Sequence, residues 1–233
     1  MGATTYHDRR GRLQTYFDAT ATDAWAQLTS QEPVSKIRAT VRAGRDRMRE
    51  TLLSWLPESL STRRLLDAGC GTGALAVEAA RRGAHVTAVD IAGNLVRIAR
   101  ERAPTRLSPG HLSFHVGDMA DPALGGFDHV VAMDSLIHYP PSEMLRVLAG
   151  LAPRTTGSML ATFAPRTPAL TAMHAVGQLF PRSDRAPAIE PVSEAHLRRI
   201  IAAEPALAGW RIGRTARIAS SFYISQALEL VPR

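Results

Sequence analysis

The chain has a single cysteine, a single lysine and no long apolar segment. Because Cys70 is alone among 233 residues, no disulfide can form within the chain, and a reducing compartment is expected. No apolar run approaches the roughly eighteen residues that cross a bilayer, and the N-terminal residues lack a signal-peptide core. The sequence therefore predicts a cytoplasmic protein, either free or peripheral to a membrane.

Arginine supplies nearly all of the positive charge. Lys36 is the only lysine among 28 basic residues, and the net charge is +7. This balance favours anionic partners, whether carboxylates, phosphates or acidic membrane surfaces, without selecting one of them. The length and the 45% hydrophobic content suit one domain with added segments.

Apolar strand-like runs alternate with helical stretches, which is typical of a parallel sheet covered on both faces. The predicted strands are residues 64–68, 85–90, 112–118, 127–134, 158–163, 210–221 and 222–231. The predicted helices between them are residues 73–82, 93–102 and 142–151. We therefore predict an α/β fold with a Rossmann-like, mostly parallel seven-stranded sheet and helices on both faces. A helical N-terminal lid and an insert after the fifth strand complete it.

Four segments follow from this pattern. They are an N-terminal helical arm and lid (1–60), a ligand-binding core (61–165), a substrate-side insert (166–205) and the closing strands of the core sheet (206–233). Apolar residues at helical spacing predict a helix within the arm, and its opposite face carries a basic strip between residues 36 and 49. This strip is either a solvated helix face or a surface that binds substrate, a partner or an acidic membrane.

The most informative motif follows the first predicted strand and runs from Asp67 through Gly69, Cys70 and Gly71 to Gly73. The glycines permit a sharp strand-to-helix turn and a close approach of main chain to a ligand. Glycine spacing alone fits both a dinucleotide and S-adenosylmethionine. Asp67 favours the second ligand, because its carboxylate would repel a pyrophosphate but suits an ammonium and a sulfonium. Cys70 is interpreted as a small side chain of the loop.

Further strand ends also carry acids. Asp90, followed by Ile91, suits the two hydroxyls of a ribose, and Asp118, followed by Met119, suits an adenine. Each aspartate alone would be interpreted as a helix cap or turn. Together and in this order, residues 62–165 resemble the class I S-adenosylmethionine-dependent methyltransferases. The predicted cofactor-binding residues are Asp67, Gly69, Cys70, Gly71, Gly73, Asp90, Ile91, Asp118, Met119 and Asp134.

The segment after the fourth strand argues against a nucleic-acid substrate. Enzymes that methylate exocyclic base amines carry an Asn/Asp-Pro-Pro-aromatic turn there, whereas this chain continues from Asp134 to a late Pro-Pro pair at 140–141. No acid or amide directly precedes these prolines. We therefore predict no nucleic-acid partner, although the basic charge leaves an RNA enzyme as a weaker alternative.

Five segments distributed over nearly the whole chain make it similar to the magnesium protoporphyrin IX methyltransferase family of bacteriochlorophyll synthesis. They are residues 16–18, 33–45, 65–73, 134–139 and 163–171. The resemblance implies O-methylation of one propionate of the magnesium porphyrin to the monomethyl ester. It also implies catalytic or substrate-orienting roles for Tyr16 and His138, and a magnesium chelatase subunit as a partner. No protein-bound metal is predicted.

A propionate substrate is already ionised at neutral pH, so it needs no general base. His138 would orient the carboxylate or a bound water, with proton abstraction as the alternative role. Apolar residues between 170 and 180 of the insert would form either core or a wall for the porphyrin. Other open functions are methylation of another small acid or phenol, such as a quinone precursor, and a cofactor-binding module without methyl transfer.

Overall fold

Seven strands form a single sheet in a computed structural model that describes residues 6–20, 22–30, 34–107, 109–166, 189–220 and 222–233. The strand order is β3-β2-β1-β4-β5-β7-β6. The strands are β1 (Arg64–Ala68), β2 (His85–Asp90), β3 (His111–Val116), β4 (Phe127–Ala132), β5 (Thr155–Phe163), β6 (Trp210–Ser220) and β7 (Tyr223–Pro232). Strands β1 to β5 are parallel, and β7 is antiparallel to both of its neighbours. The predicted mostly parallel, Rossmann-like sheet is confirmed.

Seven α-helices lie in the described part of the chain. They are α1 (Tyr6–Thr15), α2 (Thr22–Leu28), α3 (Lys36–Trp55), α4 (Ala74–Arg81), α5 (Gly93–Arg102), α6 (Pro141–Leu151) and α7 (Glu194–Ala203). A π-helical turn (Tyr16–Thr20) joins α1 to the segment before α2, and a short 3-10 turn (Leu136–His138) follows β4. The third and fourth strands end two residues earlier than predicted. Asp118 and Asp134 therefore lie in the loops that follow these strands.

The two faces of the sheet bury different helices. Side chains alternate along β1, so Leu65 and Leu66 point to opposite faces. Leu66 joins an apolar cluster with α6 and α7, whereas Leu65 joins a second cluster with α3 and α4. The helices on each face thus shield that side of the sheet from water, as expected for a parallel sheet.

Helix α3 packs closely on the β7 end of the sheet. It begins after Ser35, whose hydroxyl accepts a hydrogen bond from the main chain of Arg38 (3.4 Å). At Gly44 the helix meets the ring of Tyr223, and a Cβ there would lie 2.5 Å from that ring. Glycine is therefore needed at this position for close packing, and α3 belongs to the core of the fold.

Helices α1 and α2 fold over the edge of the sheet at which the parallel strands end, as predicted for a lid. Tyr6 and Leu13 of α1 are buried in the cluster that contains α6. No described helix has the length and apolarity needed to span a membrane. Residues 170–180, for which the porphyrin wall was predicted, lie outside the described residues, and the four segment boundaries remain predictions.

Candidate active site

A cavity of about 460 Å³ lies at the carboxyl ends of β1, β2 and β4, beneath α1, α2 and α3. This is where ligands bind in open α/β sheets. The predicted residues that line it are Asp67, Gly69, Cys70, Gly71, Asp90, Ile91, Met119, Asp134 and His138. Tyr16, Gly73 and Asp118 do not line it.

Asp67 is a buried acid without full compensation. Its side chain is 2% exposed, and its Oδ2 atom has no hydrogen-bond partner among the described residues. Burial and the nearby charge of Asp90 raise its pKa to about 7. A main-chain hydrogen bond from Ala76 lowers the pKa but does not offset this rise. A cation placed beside this carboxylate would favour its ionised form.

Asp90 is held by main-chain donors on both oxygens. Gly71 donates to Oδ2 and Ala92 donates to Oδ1, each at 2.9 Å. Burial raises the pKa of Asp90 in spite of these two bonds. Because each carboxylate oxygen can accept more than one hydrogen bond, Asp90 both supports the glycine loop and keeps acceptor capacity toward the cavity.

The glycines of the loop are required for different structural reasons. Gly69 has a φ of +84°, and a Cβ there would lie 2.3 Å from the Cβ of Ser135. Gly73 has a φ of +80°, and its Cβ would meet the ring of Phe114 at 2.9 Å. Packing within the protein therefore requires these two glycines. A Cβ at Gly71 would instead lie 3.4 Å from Nε1 of Trp25 in α2. Burial also raises the pKa of the Cys70 thiol well above its ordinary value, which makes it a poor nucleophile.

Asp118 is bound by the N-terminal helix. Tyr6 donates to its Oδ1 and Arg10 to its Oδ2, each at 2.7 Å, and Ala120 adds a main-chain donor at 2.9 Å. Although burial opposes it, these hydrogen bonds hold the pKa of Asp118 below its ordinary value. An adenine amino group would have to share this carboxylate with α1. The following Met119 lines the cavity.

Asp134 is the centre of a buried polar cluster. It forms an ion pair with Arg45 of α3 at 2.7 Å and accepts hydrogen bonds from Tyr223 (3.1 Å) and Ser225 (3.2 Å) of β7. Its main-chain N–H donates to the hydroxyl of Thr162 (2.7 Å). Its φ of +52° is uncommon for a residue other than glycine. Asp134 thus joins α3, β5 and β7 at the start of the loop that carries His138.

Part of the basic strip of α3 points toward α2 and not toward solvent. The strip is therefore more than the solvated face that was one of its two predicted interpretations. The guanidinium of Arg45 lies 4.6 Å from the ring centre of Trp25 in α2. Arg42 donates to the main-chain oxygens of Gln27 (2.8 Å) and Leu28 (2.9 Å), at the C-terminal end of α2. Positive groups at this end complement the helix dipole. These arginines therefore hold the lid in place.

Phe17 is a cavity residue that the sequence analysis missed. Its ring makes edge contacts with His138 and Trp25 at 5.8 Å and with Tyr16 at 5.3 Å. Tyr16 is half-buried behind it, and burial raises the pKa of the Tyr16 hydroxyl. Phe17 follows Tyr16 directly in the Tyr-Phe-Asp motif, and this adjacency was the available signal. The π-helical turn decides which of the two side chains points into the cavity.

His138 is brought to the cavity by the 3-10 turn after β4. Its main-chain oxygen accepts a hydrogen bond from Arg9 (3.0 Å). Tyr139 also lines the cavity; burial and the charges of Asp118 and Asp90 raise its pKa to about 12. Its hydroxyl is therefore a neutral hydrogen-bond group at physiological pH.

The site suits a ligand that combines an apolar ring, a ribose and a positive charge. Asp67 can supply the negative charge, the oxygens of Asp90 can accept hydrogen bonds from a ribose, and Ile91 and Met119 line the cavity with apolar surface. The partly unpaired Asp67 is the observation that makes a cation preferable to a pyrophosphate here. The geometry of the cavity therefore fits S-adenosylmethionine.

Comparison with known proteins agrees with this geometry. Residues 132–232 match the family described as magnesium-protoporphyrin IX methyltransferase C-terminus, and residues 65–154 match a methyltransferase domain family. A magnesium-protoporphyrin O-methyltransferase of Rhodobacter capsulatus is 51% identical over 97% of this chain and 98% of that protein. The chain belongs to the magnesium-protoporphyrin O-methyltransferase family. The corresponding Synechocystis protein is 32% identical over 96% of both chains.

Solved structures of this family share the fold. The crystal structure of magnesium protoporphyrin IX methyltransferase from Synechocystis PCC 6803 with bound SAH has a TM-score of 0.84 and 30% identity, covering 96% of this chain and 100% of the other. Ubiquinone biosynthesis O-methyltransferases, such as that of Xanthomonas axonopodis pv. citri, are 38% identical but match only 49% of this chain and 48% of their own. The likeness to quinone-pathway enzymes is therefore limited to about half of the chain.

Proposed function

We propose that this protein esterifies one propionate carboxylate of magnesium protoporphyrin IX, with S-adenosylmethionine as the methyl donor, in bacteriochlorophyll synthesis. The product is the monomethyl ester. The observation that carries the proposal is the 51% identity to the Rhodobacter capsulatus enzyme along 98% of its length. The buried, partly unpaired Asp67 supports a positively charged methyl donor.

When bound, S-adenosylmethionine supplies an electrophilic methyl group on a positively charged sulfur. Asp67 binds the positive end of this molecule, and Asp90 binds its ribose. Because the substrate carboxylate is ionised at neutral pH, the residues of the site need only align it and exclude water. Phe17 and Trp25 line the cavity, and their apolar rings exclude water from the reacting groups.

His138 orients the substrate carboxylate through a hydrogen bond. A neutral imidazole is preferred, because an imidazolium would form an ion pair with the carboxylate and reduce its nucleophilicity. Tyr16 supports the site through its contact with Phe17, and its raised pKa keeps its hydroxyl neutral. Both roles are part of the proposal.

Binding partners extend the proposal beyond the substrate. The protein receives its porphyrin from a magnesium chelatase subunit and contacts the membrane peripherally. The exposed residues Lys36, Ile37 and Arg47 of α3 support this part, because they combine positive charge with an apolar side chain outside the cavity. Salt-dependent flotation with anionic vesicles would test the membrane contact.

A single assay tests the central proposal. Purified protein is incubated with labelled S-adenosylmethionine and magnesium protoporphyrin IX, and the esterified pigment is separated and counted. We expect label in the monomethyl ester, with no label in a quinone precursor offered as the alternative substrate. Binding of S-adenosylmethionine without transfer to the porphyrin would reject the proposed substrate.

A further inference from the structure

Two consecutive carbonyl groups in the turn that carries His138 are held from outside the cavity. Arg9 of α1 donates from Nη1 to the main-chain oxygen of His138 (3.0 Å), and the main-chain N–H of Glu190 donates to the oxygen of Ile137 (2.8 Å). The turn is only three residues long, so it cannot supply donors for these carbonyls itself. Its location therefore depends on two distant segments of the chain.

The two segments also bind each other. The same Nη1 atom of Arg9 donates to Oε1 of Glu190 at 2.7 Å, and both side chains are partly buried. Glu190 lies on an anchored segment, because Val192 donates to the oxygen of Ala164 (2.9 Å) at the end of β5 and Arg166 donates to the oxygen of Val192 (3.0 Å). Arg9 consequently links α1, the turn and this segment with one guanidinium group.

The imidazole of His138 is attached to the main chain that these hydrogen bonds hold. On the cavity side it meets the ring of Phe17 edge-on, with 5.8 Å between ring centres. A displacement of the main chain at His138 would therefore move the imidazole relative to the rest of the cavity.

We propose that Arg9, together with Glu190, is a positioning residue for His138. Arg9 does not line the cavity, so it acts through the turn and not on the ligand. The inference rests on the proposed role of His138 in orienting the substrate carboxylate. It makes docking of α1 a condition for correct placement of His138, since the arginine belongs to that helix.

Substitution of Arg9 tests this link. We expect Arg9→Gln to lower kcat for magnesium protoporphyrin IX by about tenfold or more, because misplacement of a reacting group by about 1 Å can cost about a hundredfold. Arg9→Lys keeps a charged donor and should recover most of the loss. Affinity for S-adenosylmethionine by calorimetry and the Tm should stay close to wild type in both variants, since a partly exposed ion pair contributes little to stability.

The matched control is Arg12→Gln. Arg12 lies on the same helix, is exposed, and has no hydrogen bond or ion pair with described residues, so its kcat should equal that of wild type. A kcat of Arg9→Gln within twofold of wild type would overturn the inference. So would equal losses in Arg9→Gln and Arg9→Lys together with lower Tm and weaker cofactor binding, which would indicate general damage. Failure of the proposed function is distinct, because wild type itself would then form no ester.

Discussion

Replacement of Asp67 by asparagine should stabilise the cofactor-free protein and weaken cofactor binding. Burial and Asp90 raise the pKa of Asp67 from 3.8 to about 7. At about 1.4 kcal/mol per pKa unit, the ionised form carries a penalty of roughly 4 kcal/mol at neutral pH. Asparagine removes the charge and can still accept the hydrogen bond from Ala76, but its amide group becomes an unpaired buried donor that costs about 1–3 kcal/mol. The net gain is therefore about 1–3 kcal/mol.

Thermal unfolding measures this gain. For a chain of this size each kcal/mol raises the Tm by about 2–4 °C, so Asp67→Asn should unfold about 6 °C above wild type at pH 7. The native pKa of Asp67 lies above the unfolded value, so the native state binds more protons between pH 4 and 7. Wild-type stability at this residue consequently rises as the pH falls from 7 to 4, and the advantage of asparagine disappears over that interval.

Isothermal titration calorimetry measures the loss of binding. A hydrogen bond to a charged group contributes about 1.5–3 kcal/mol, so Kd for S-adenosylmethionine should rise about tenfold to a hundredfold. The matched control is Asp128→Asn at the opposite end of β4. A main-chain hydrogen bond from Arg64 holds the pKa of Asp128 below its ordinary value, so this change should lower stability and leave Kd unchanged. A less stable Asp67→Asn with unchanged Kd would refute the reasoning.

Three further predictions concern packing and the lid. Gly44→Ala should lower stability by about 1–3 kcal/mol, because its Cβ would lie 2.5 Å from an aromatic ring, whereas Gly11→Ala, with nothing within 4 Å, should raise it by about 0.5–1 kcal/mol; urea unfolding measures both. Arg45→Met should cost about 3 kcal/mol in the same assay by leaving a buried carboxylate unpaired, with exposed Arg47→Met as the neutral control. Phe17→Leu should lower turnover with the porphyrin about threefold to tenfold through lost ring contacts; unchanged turnover would contradict its role.

The sheet could be predicted because its strands carry local signals. Apolar runs locate β1 and β2 to the residue, because burial on both faces of the sheet demands continuous apolar sequence. The helical stretch after β2 locates α5 to the residue in the same way. Strand ends were less visible. The pairing of β3 with β2 stops where Asp90 meets Val116, so Gly117 and Asp118 fall in a loop.

The partners of the acids that follow the strands could not be predicted because they are distant along the chain. Asp118 binds Tyr6 and Arg10 across 112 and 108 positions, and Asp134 binds Arg45 across 89. A carboxylate at a strand end looks the same in the sequence whether it binds a ligand or an arginine of another helix. The inward direction of Phe17 was hidden for a similar reason, since a π-helical turn shifts the face on which a side chain lies.

We propose that positive charge in the ligand is recognised chiefly at Asp67, because groups of the protein itself bind the other acids that line the cavity. Main-chain donors hold Asp90, Arg49 binds Asp46, and Arg45 binds Asp134. Methyl transfer removes the positive charge from sulfur but leaves the ammonium in S-adenosylhomocysteine. If Asp67 chiefly recognises the sulfonium, Asp67→Asn should weaken binding of S-adenosylmethionine more than binding of S-adenosylhomocysteine.

Calorimetry with both molecules separates the two cationic groups. If the carboxylate of Asp67 attracts the sulfonium, it helps to release S-adenosylhomocysteine. The sulfur becomes neutral when the ester forms, so the attraction between them disappears. We expect wild type to bind S-adenosylmethionine more tightly than Asp67→Asn does, with a smaller difference between the two proteins for S-adenosylhomocysteine. Equal losses for both molecules would show that Asp67 recognises the ammonium, and the attraction of this acid would then persist after methyl transfer.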